Sequence, residues 1–413
     1  MRAQSEATAT PRAPALRAPD AALLFLAFAF AYFFSALLRA VTATLAPVFS
    51  AEIGLSAADL GLLAGAYFFG FAALQLPLGR ALDRFGPRRV LLVLLGVAVL
   101  GCAAFALARG LASLIAARVL IGMGVAACLM APLTCYRRLF SPAAQLRANS
   151  WMLMTGSLGM LASTLPVQLL LPLTGWRGLF WAVAALLLAA MALILRWVPR
   201  DAPPAASPGA ALGYRVIARH PLFVRTAPLA FFLYGGLIAV QSLWAGPWLT
   251  QVAGWTPAAA AQGLFGINLA MLFAFLGWGT LLPRLVGRGL DVVRLMAWGV
   301  PLALLLLVAA VLRGPDAGAL HWAAWCVACT FVSLSQPAVA QAFDTAQAGR
   351  ALSAFNLVIF SGVFCLQWGI GLAIDAAQSF GLDQISAYRA AFGAFAASCV
   401  ASYLWFLRRP RGR

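Results

Sequence analysis

The sequence predicts an all-α integral membrane protein of twelve transmembrane helices, built as two six-helix pseudo-repeats. Three features imply this. Of 413 residues, 63% are hydrophobic and 10% charged, with a mean hydropathy of +0.92. Soluble proteins average about 45–50% apolar and about 25% charged residues, so a water-soluble enzyme is excluded by composition. Apolar runs of about 20 residues, long enough to cross a bilayer as helices, occur twelve times. The two halves also match at a constant offset of 200 residues.

Residues 1–19, rich in Ala, Pro and Arg, read as a disordered cytoplasmic tail. The apolar run that follows is too long for a signal-peptide core, so the first helix is expected to be retained. It covers 22–46. Spans 2 to 6 fall at 59–80, 89–108, 113–136, 148–171 and 178–198, completing a first bundle over 20–198. The polar stretch 199–224, with Pro199, Pro203, Pro204 and Pro208, reads as a cytoplasmic central loop. Spans 7 to 12 fall at 225–250, 258–283, 292–312, 320–343, 351–375 and 387–407. They form a second bundle over 225–408, before a short cytoplasmic tail at 409–413.

The formal net charge of +18 comes entirely from arginine on the basic side, since the sequence has no lysine. With the N-terminus inside, 23 of the 29 arginines fall in the two tails, the even-numbered loops and the adjoining helix ends. Arg109, Arg177, Arg313 and Arg389 fall on the other side, and Arg39 and Arg118 lie within spans. That asymmetry predicts a multi-pass protein of the cell inner membrane with both termini cytoplasmic. It also accounts for the charge without nucleic acid, for which no recognition motif is present. The seven cysteines are scattered, nearly all in apolar runs, and do not form a disulfide framework. Cys326 and Cys329 share one helical turn, but a soft-metal site needs more ligands. No metal or other cofactor is expected.

The repeat is gapless over its best stretch. Pro47 falls on Pro247, Gly54 on Gly254, Ser56 on Thr256, Gly79 on Gly279, Leu82 on Leu282 and Arg84 on Arg284. Ser56 and Thr256 are apt N-caps for spans 2 and 8. Parallel six-helix repeats are the build of a large transporter class whose substrate site lies between the halves near mid-membrane.

Two motifs point to a family. The loop between spans 2 and 3 reads Gly79-Arg-Ala-Leu-Asp83-Arg84-Phe-Gly86-Pro-Arg88-Arg89. It resembles the signature of the major facilitator superfamily, G-x-L-x-D-R-x-G-R-[RK], with Ala81 for the usual Leu and Pro87 for the usual first basic residue. Span 4 holds Arg118-x-x-x-Gly122-x-Gly124, similar to a second signature of that superfamily. The resemblance covers about 20–408. It implies alternating access, with spans 1, 4, 7 and 10 lining a central site. It also implies a gate formed by Gly79, Asp83, Arg84, Gly86, Arg88 and Arg89. Gly79 would let helices approach closely, and the equivalent Asp of the family closes the cytoplasmic side against span 11. Pro283 stands where the second half would repeat Asp83, so the latch is expected to rest on the first half. The matching arginine of the family is often linked to coupling, which adds Arg118 to the gating set. The other reading of Arg118 is a buried donor to backbone carbonyls.

The substrate candidates follow from polar residues inside apolar spans, which are costly and functional by default. Tyr32, Ser35, Arg39 and Thr42 recur at helical spacing on span 1. A cavity-facing Arg39 would offer a donor fork suited to a carboxylate or phosphate; the alternatives are a structural pair or snorkelling. A span-1 arginine also resembles the arrangement in organophosphate and organic-anion carriers of the superfamily. Their second basic residue in span 7 has no counterpart, because Ala239 stands opposite Arg39. On span 7, Tyr234, Gln241, Trp244, Trp248 and Gln251 are spaced for one face. Asn268 on span 8, and Asn356, Phe360, Val363 and Gln367 on span 11, extend the polar inventory. These amides serve equally as helix–helix contacts.

None of the eleven acids falls mid-span, which disfavours proton coupling through a buried carboxylate, and no P-loop is present. The expectation is a monomeric secondary transporter of a small organic anion, its partners a small-molecule substrate and the lipid bilayer. The contact set is Arg39, Tyr32, Ser35, Gln241, Trp244, Asn268, Asn356 and Gln367. An exporter of drugs or neutral solutes, and a transport-deficient receptor of the same build, are the alternatives. No nucleophile constellation supports an enzyme.

Overall fold

The computed structural model describes residues 18–200 and 213–408. The expected tails at 1–17 and 409–413, and residues 201–212 of the central loop, lie outside the described residues. Among the described residues every regular element is a helix.

In chain order the spans are α1 (Ala18–Ile53), α2 (Ala57–Ala73 and Gln75–Phe85), α3 (Pro87–Leu107) and α4 (Leu111–Val125 and Met130–Leu139). Next come α5 (Pro142–Ala162, continued by 165–174) and α6 (176–197). The second half has α7 (Pro221–Val252), α8 (Pro257–Gly287), α9 (Val292–Arg313), α10 (Ala319–Gln341), α11 (Thr345–Ser379) and α12 (Gln384–Leu407). Among the described residues, ten helices are long and apolar enough to cross a bilayer by themselves, and α2, bent by 45°, is an eleventh. The twelfth emerges from the continuous stretch Leu165–Trp197. At about 1.5 Å per residue, 33 residues overrun one bilayer crossing. Gly175, with φ 62° and ψ 170°, breaks the stretch and turns the chain back.

Several helix edges differ from the sequence reading: α1 runs on to Ile53, α5 starts at Pro142 and α11 at Thr345. Helix α1 starts at Ala18, with Asp20 in its first turn, where an acid is favoured by the helix dipole. Helix α7 starts at Pro221, inside the stretch expected to be loop, because proline is well placed at a first helical position.

The repeat is present in backbone detail. Gly54 and Gly254 share the same left-handed φ of 72° ahead of α2 and α8. Ser56 Oγ accepts from the Asp59 amide at 3.2 Å, and Thr256 Oγ1 accepts from the Ala259 amide at 3.3 Å, so both expected N-caps form.

Six odd-numbered connections gather at one end of the bundle, here the far face. Glu52 there accepts from Trp176 Nε1 and Arg177, both at 2.7 Å. The opposite end, the terminal face, holds the first and last described residues, Ala18 and Arg408. Arg88 donates to the Leu195 carbonyl at 2.7 Å, joining the start of α3 to the end of α6. The halves meet where α2 runs along α11, α1 along α7, and α5 against α8.

Candidate substrate site and gates

Arg39 lies between the halves, partly buried on α1. Tyr32 on α1, Tyr67 on α2 and Tyr234 on α7 surround its guanidinium, and its Nε is buried without a hydrogen-bond partner. The guanidinium stands 5.9 Å from the ring centre of Phe71. Phe71 meets Phe360 of α11 edge-on at 4.6 Å, and Phe360 stacks on Phe68 at 6.2 Å. Tyr67 donates to the Ser35 carbonyl at 3.2 Å, and Ser35 is buried beside Cys128 of α4. No carboxylate pairs with Arg39 among the described residues; the one ion pair there joins Arg177 to Glu52.

A relay of neutral groups continues from Arg39 into the second half. The Tyr234 hydroxyl donates to Gln336 Oε1 at 3.3 Å, and Gln336 Nε2 donates to Asn356 Oδ1 at 2.8 Å. One guanidinium is thus framed by phenols, an apolar ring wall and a pair of amides. Such a frame can neutralise one anionic group and pack an organic body.

Of the residues expected to hold substrate, Arg39, Tyr32, Ser35 and Asn356 come together here. The other four do not. Gln241 Nε2 donates to Asn268 Oδ1 at 2.9 Å, and Asn268 donates back to the Leu264 carbonyl, so this pair ties α7 to α8. Trp244 and Gln367 are both fully buried, with Trp244 Nε1 donating to the Gln367 carbonyl at 3.1 Å and Gln367 Nε2 to Ser242 at 2.9 Å. They knit α7 to α11 on the far side of Arg39. The reason is local: α7 contains wide, π-helical turns at Ala230–Tyr234, Val240–Trp244 and Trp248–Val252. Each alters the register, so residues spaced for one face of an α-helix turn toward different neighbours.

Tyr67, Phe71 and Gln336 were absent from the expected contact set. The aromatic run Tyr67-Phe-Phe-Gly-Phe71 was a usable signal, since i and i+4 share a helix face.

Sequence comparison decides the family. The chain matches the family described as Major Facilitator Superfamily over residues 28–366. It belongs to that superfamily. None of the curated proteins matches it. Among solved structures it is similar to a bacterial homolog of the human lysosomal transporter Spinster in an inward-facing, unoccupied conformation. The identity is 17%, with coverage of 95% of this chain and 97% of the other and a TM-score of 0.75. It is also similar to the nucleoside transporter NupG, at 13% identity, 93% and 99% coverage and a TM-score of 0.74. A D-xylose–proton symporter gives 17% identity, 94% and 96% coverage and a TM-score of 0.69. The protein is a multi-pass membrane transporter with an all-α superfamily fold, and not an enzyme.

The superfamily motifs divide between two roles. In the span 2–3 motif, Gly86 adopts φ 84° and makes the turn between α2 and α3. Arg84 lies 5.2 Å from the Phe85 ring, and Arg88 is pinned to α6. Arg89 is exposed near the start of α3. Asp83 is exposed and meets no hydrogen-bond or ion-pair partner among the described residues. Gly79 departs from expectation: a Cβ there would meet nothing within 4 Å, so no helix is closely packed on it in this conformation.

Arg118 is fully buried. It donates to the Leu38 carbonyl at 2.9 Å and to Thr42 Oγ1, and lies 5.3 Å from the Tyr67 ring. Of its two readings, this geometry fits the buried donor that clamps α4 to α1. Gly122 beside it lets α4 approach the Tyr67 carbonyl so closely that a Cβ would overlap it.

Proposed function

We propose that this transporter carries a small organic anion, bound at Arg39, by rocking its two six-helix bundles about the site. The observation that carries the reading is a guanidinium between the bundles with phenols around it and no carboxylate partner among the described residues. A buried ion is expensive unless paired, and a charge-assisted contact to a carboxylate is the strong pairing open to arginine. Tyr32 and Ser35 shape the α1 side, and Asn356, through Gln336 and Tyr234, shapes the α11 side.

The bundles move as 20–198 and 225–408, joined by 199–224. The arginine distribution supports placing the terminal face in the cytoplasm, as expected for a protein of the inner membrane. Asp83, with Gly79, Arg84, Gly86, Arg88 and Arg89, closes the terminal face in the opposite state, and Arg118 holds the α1–α4 contact through the cycle. An exporter reading built on the α7 aromatics has little surface to use, because Trp244 and Trp248 are both fully buried.

Thermal shift of the purified protein against a panel of organic acids tests the anion reading. At least one acid should raise the melting temperature of the wild type and leave Arg39→Ala unmoved. Uptake in proteoliposomes should be lost in the same variant while membrane insertion is retained. Undiminished uptake by Arg39→Ala would overturn the reading.

A further inference from the structure

We propose that the anion is a monocarboxylate with an apolar, ring-sized body, and that dicarboxylates and phosphates are poor ligands. This inference rests on the anion reading above and narrows it.

Arg39 sits where the two bundles meet, beside Tyr234 of α7, and its Nε is buried without a hydrogen-bond partner. Arg118, the other arginine inside a span, has one guanidinium nitrogen on the Leu38 carbonyl and another on Thr42 Oγ1, and it is fully buried. The Tyr67 ring lies against it, and the Tyr67 hydroxyl faces Arg39. Arg118 therefore adds positive potential, and its one donor without a partner, Nε, is enclosed with the rest of the fully buried side chain. In the second half, the repeat-related position is Ala239, also fully buried. Neither histidine contributes: His321 Nε2 is 2.8 Å from the Leu306 carbonyl, and His220 packs on Phe343 at 4.7 Å at the start of α7. One donor fork matches one carboxylate bidentately. A second anionic group would enter a region without a counterion, where an unpaired ion is costly to bury.

The apolar component is equally local. Phe71 and Phe360, at 4.6 Å, begin directly at Arg39 and lead to Phe68. Phe71 and Phe360 come from opposite bundles, so a body lying against both would contact each moving unit. Rings prefer offset or edge-on contacts at about 4.5–7 Å, a spacing that a flat substituent can join. A compact inorganic anion gains nothing from this wall.

Binding of benzoate, succinate, inorganic phosphate and the neutral isostere benzamide to the purified full-length protein tests the proposal. Benzoate should bind most tightly. Arg39→Ala should weaken benzoate roughly ten- to hundredfold, the scale of one charge-assisted pair, and Arg39→Lys should weaken it less. Phe360→Ala should weaken benzoate about tenfold, as expected for lost apolar contact, while leaving the much weaker binding of acetate unchanged. That split between benzoate and acetate separates a binding role from general damage to the fold. Tighter Arg39-dependent binding of succinate or phosphate overturns the monocarboxylate class and leaves the anion reading standing. Equal binding of benzamide and benzoate, indifferent to Arg39→Ala, overturns both. Failure of benzoate to bind at millimolar concentration overturns the monocarboxylate proposal.

Discussion

The far face and the terminal face treat the boundary between the bundles in opposite ways. At the far face α2 and α11 are in backbone contact. A Cβ on Gly61 would overlap the Gln367 carbonyl, and one on Gly371 would overlap the Ala57 carbonyl. The Asp375 carboxylate, near the end of α11, accepts from the Ala57 and Ala58 amides at 3.2 and 2.9 Å, capping the start of α2 from across the boundary. At the terminal face, α2 carries an exposed Asp83 without a partner among the described residues and a Gly79 with open space around it. The difference shows which end of the molecule is held shut in this conformation. It also shows what holds it: carbonyls that only glycine can approach, and an acid on a helix N-terminus, where orphan amides and the helix dipole both favour negative charge.

Within the far face the closure is uneven. Opposite the tight α2–α11 contact, α5 and α8 border a cleft of about 480 Å³, lined by Thr44, Pro47, Glu52, Gln168 and Pro257. The nearby Glu52–Arg177 pair is roughly half exposed on both sides. Exposed pairs of this kind contribute about 0–1 kcal/mol. The seal therefore depends on α2 and α11.

The largest effect is expected from Gly61→Ala. The Gln367 carbonyl cannot easily retreat, because Trp244 Nε1 is bonded to it and both residues are fully buried. Overpacking of this kind costs about 1–3 kcal/mol or more, charged to the shut far face alone. Spin labels on Arg109→Cys and Arg313→Cys, exposed at the far ends of the two bundles, report the separation. Six of the seven native cysteines are buried, so replacing Cys365 gives a usable background. The distance distribution should move to longer values in Gly61→Ala. An unchanged distribution would show that the α2–α11 contact does not set the state.

Asp375→Asn should act in the same direction with a smaller amplitude. The carboxylate is partly buried, and hydrogen bonds to a charged group contribute about 1.5–3 kcal/mol before solvent screening. The amide retains one acceptor oxygen, so about half of that is a reasonable expectation. The label pair should show a mixture of short and long distances, and Asp375→Glu should restore part of the short population. Equal behaviour of Asn and wild type would leave glycine packing as the whole of the seal.

These two ends were unequally legible in the sequence. The twelve spans, the repeat and its caps follow from local rules: apolar length, and Ser or Thr ahead of an apolar run. Gly54 and Gly254, matched in the repeat, share the same φ of 72°. The span 2–3 motif was visible because its residues are neighbours in the chain. Asp375 was recognisable only as an acid at a helix end, since the amides it caps are more than 300 residues away. Around Arg39, the α1 face was readable because α1 is a regular helix there. The α7 face was misjudged because nothing in 3.6-residue spacing announces three π-helical turns. Gln336, the link between Tyr234 and Asn356, lies on α10 among small residues, and no periodic signal singled it out.

The smallest effect is expected from Gly79→Ala, and it sharpens the comparison most. By itself the variant should match wild type in far-face distance and melting temperature, because a methyl there meets nothing in this conformation. The Gly61→Ala background changes what it reports. If opening the far face drives the terminal face to close, α2 must bring Gly79 and Asp83 against the second bundle. The added methyl then interferes, and the double variant should lose part of the long-distance population that Gly61→Ala gained. Substitutions so far apart normally add within about 0.3–0.5 kcal/mol. A larger non-additivity between Gly61 and Gly79 therefore measures coupling between the two faces. Strict additivity would mean that the span 2–3 motif anchors the α2–α3 turn through Gly86 and Arg88 and has no part in the gate.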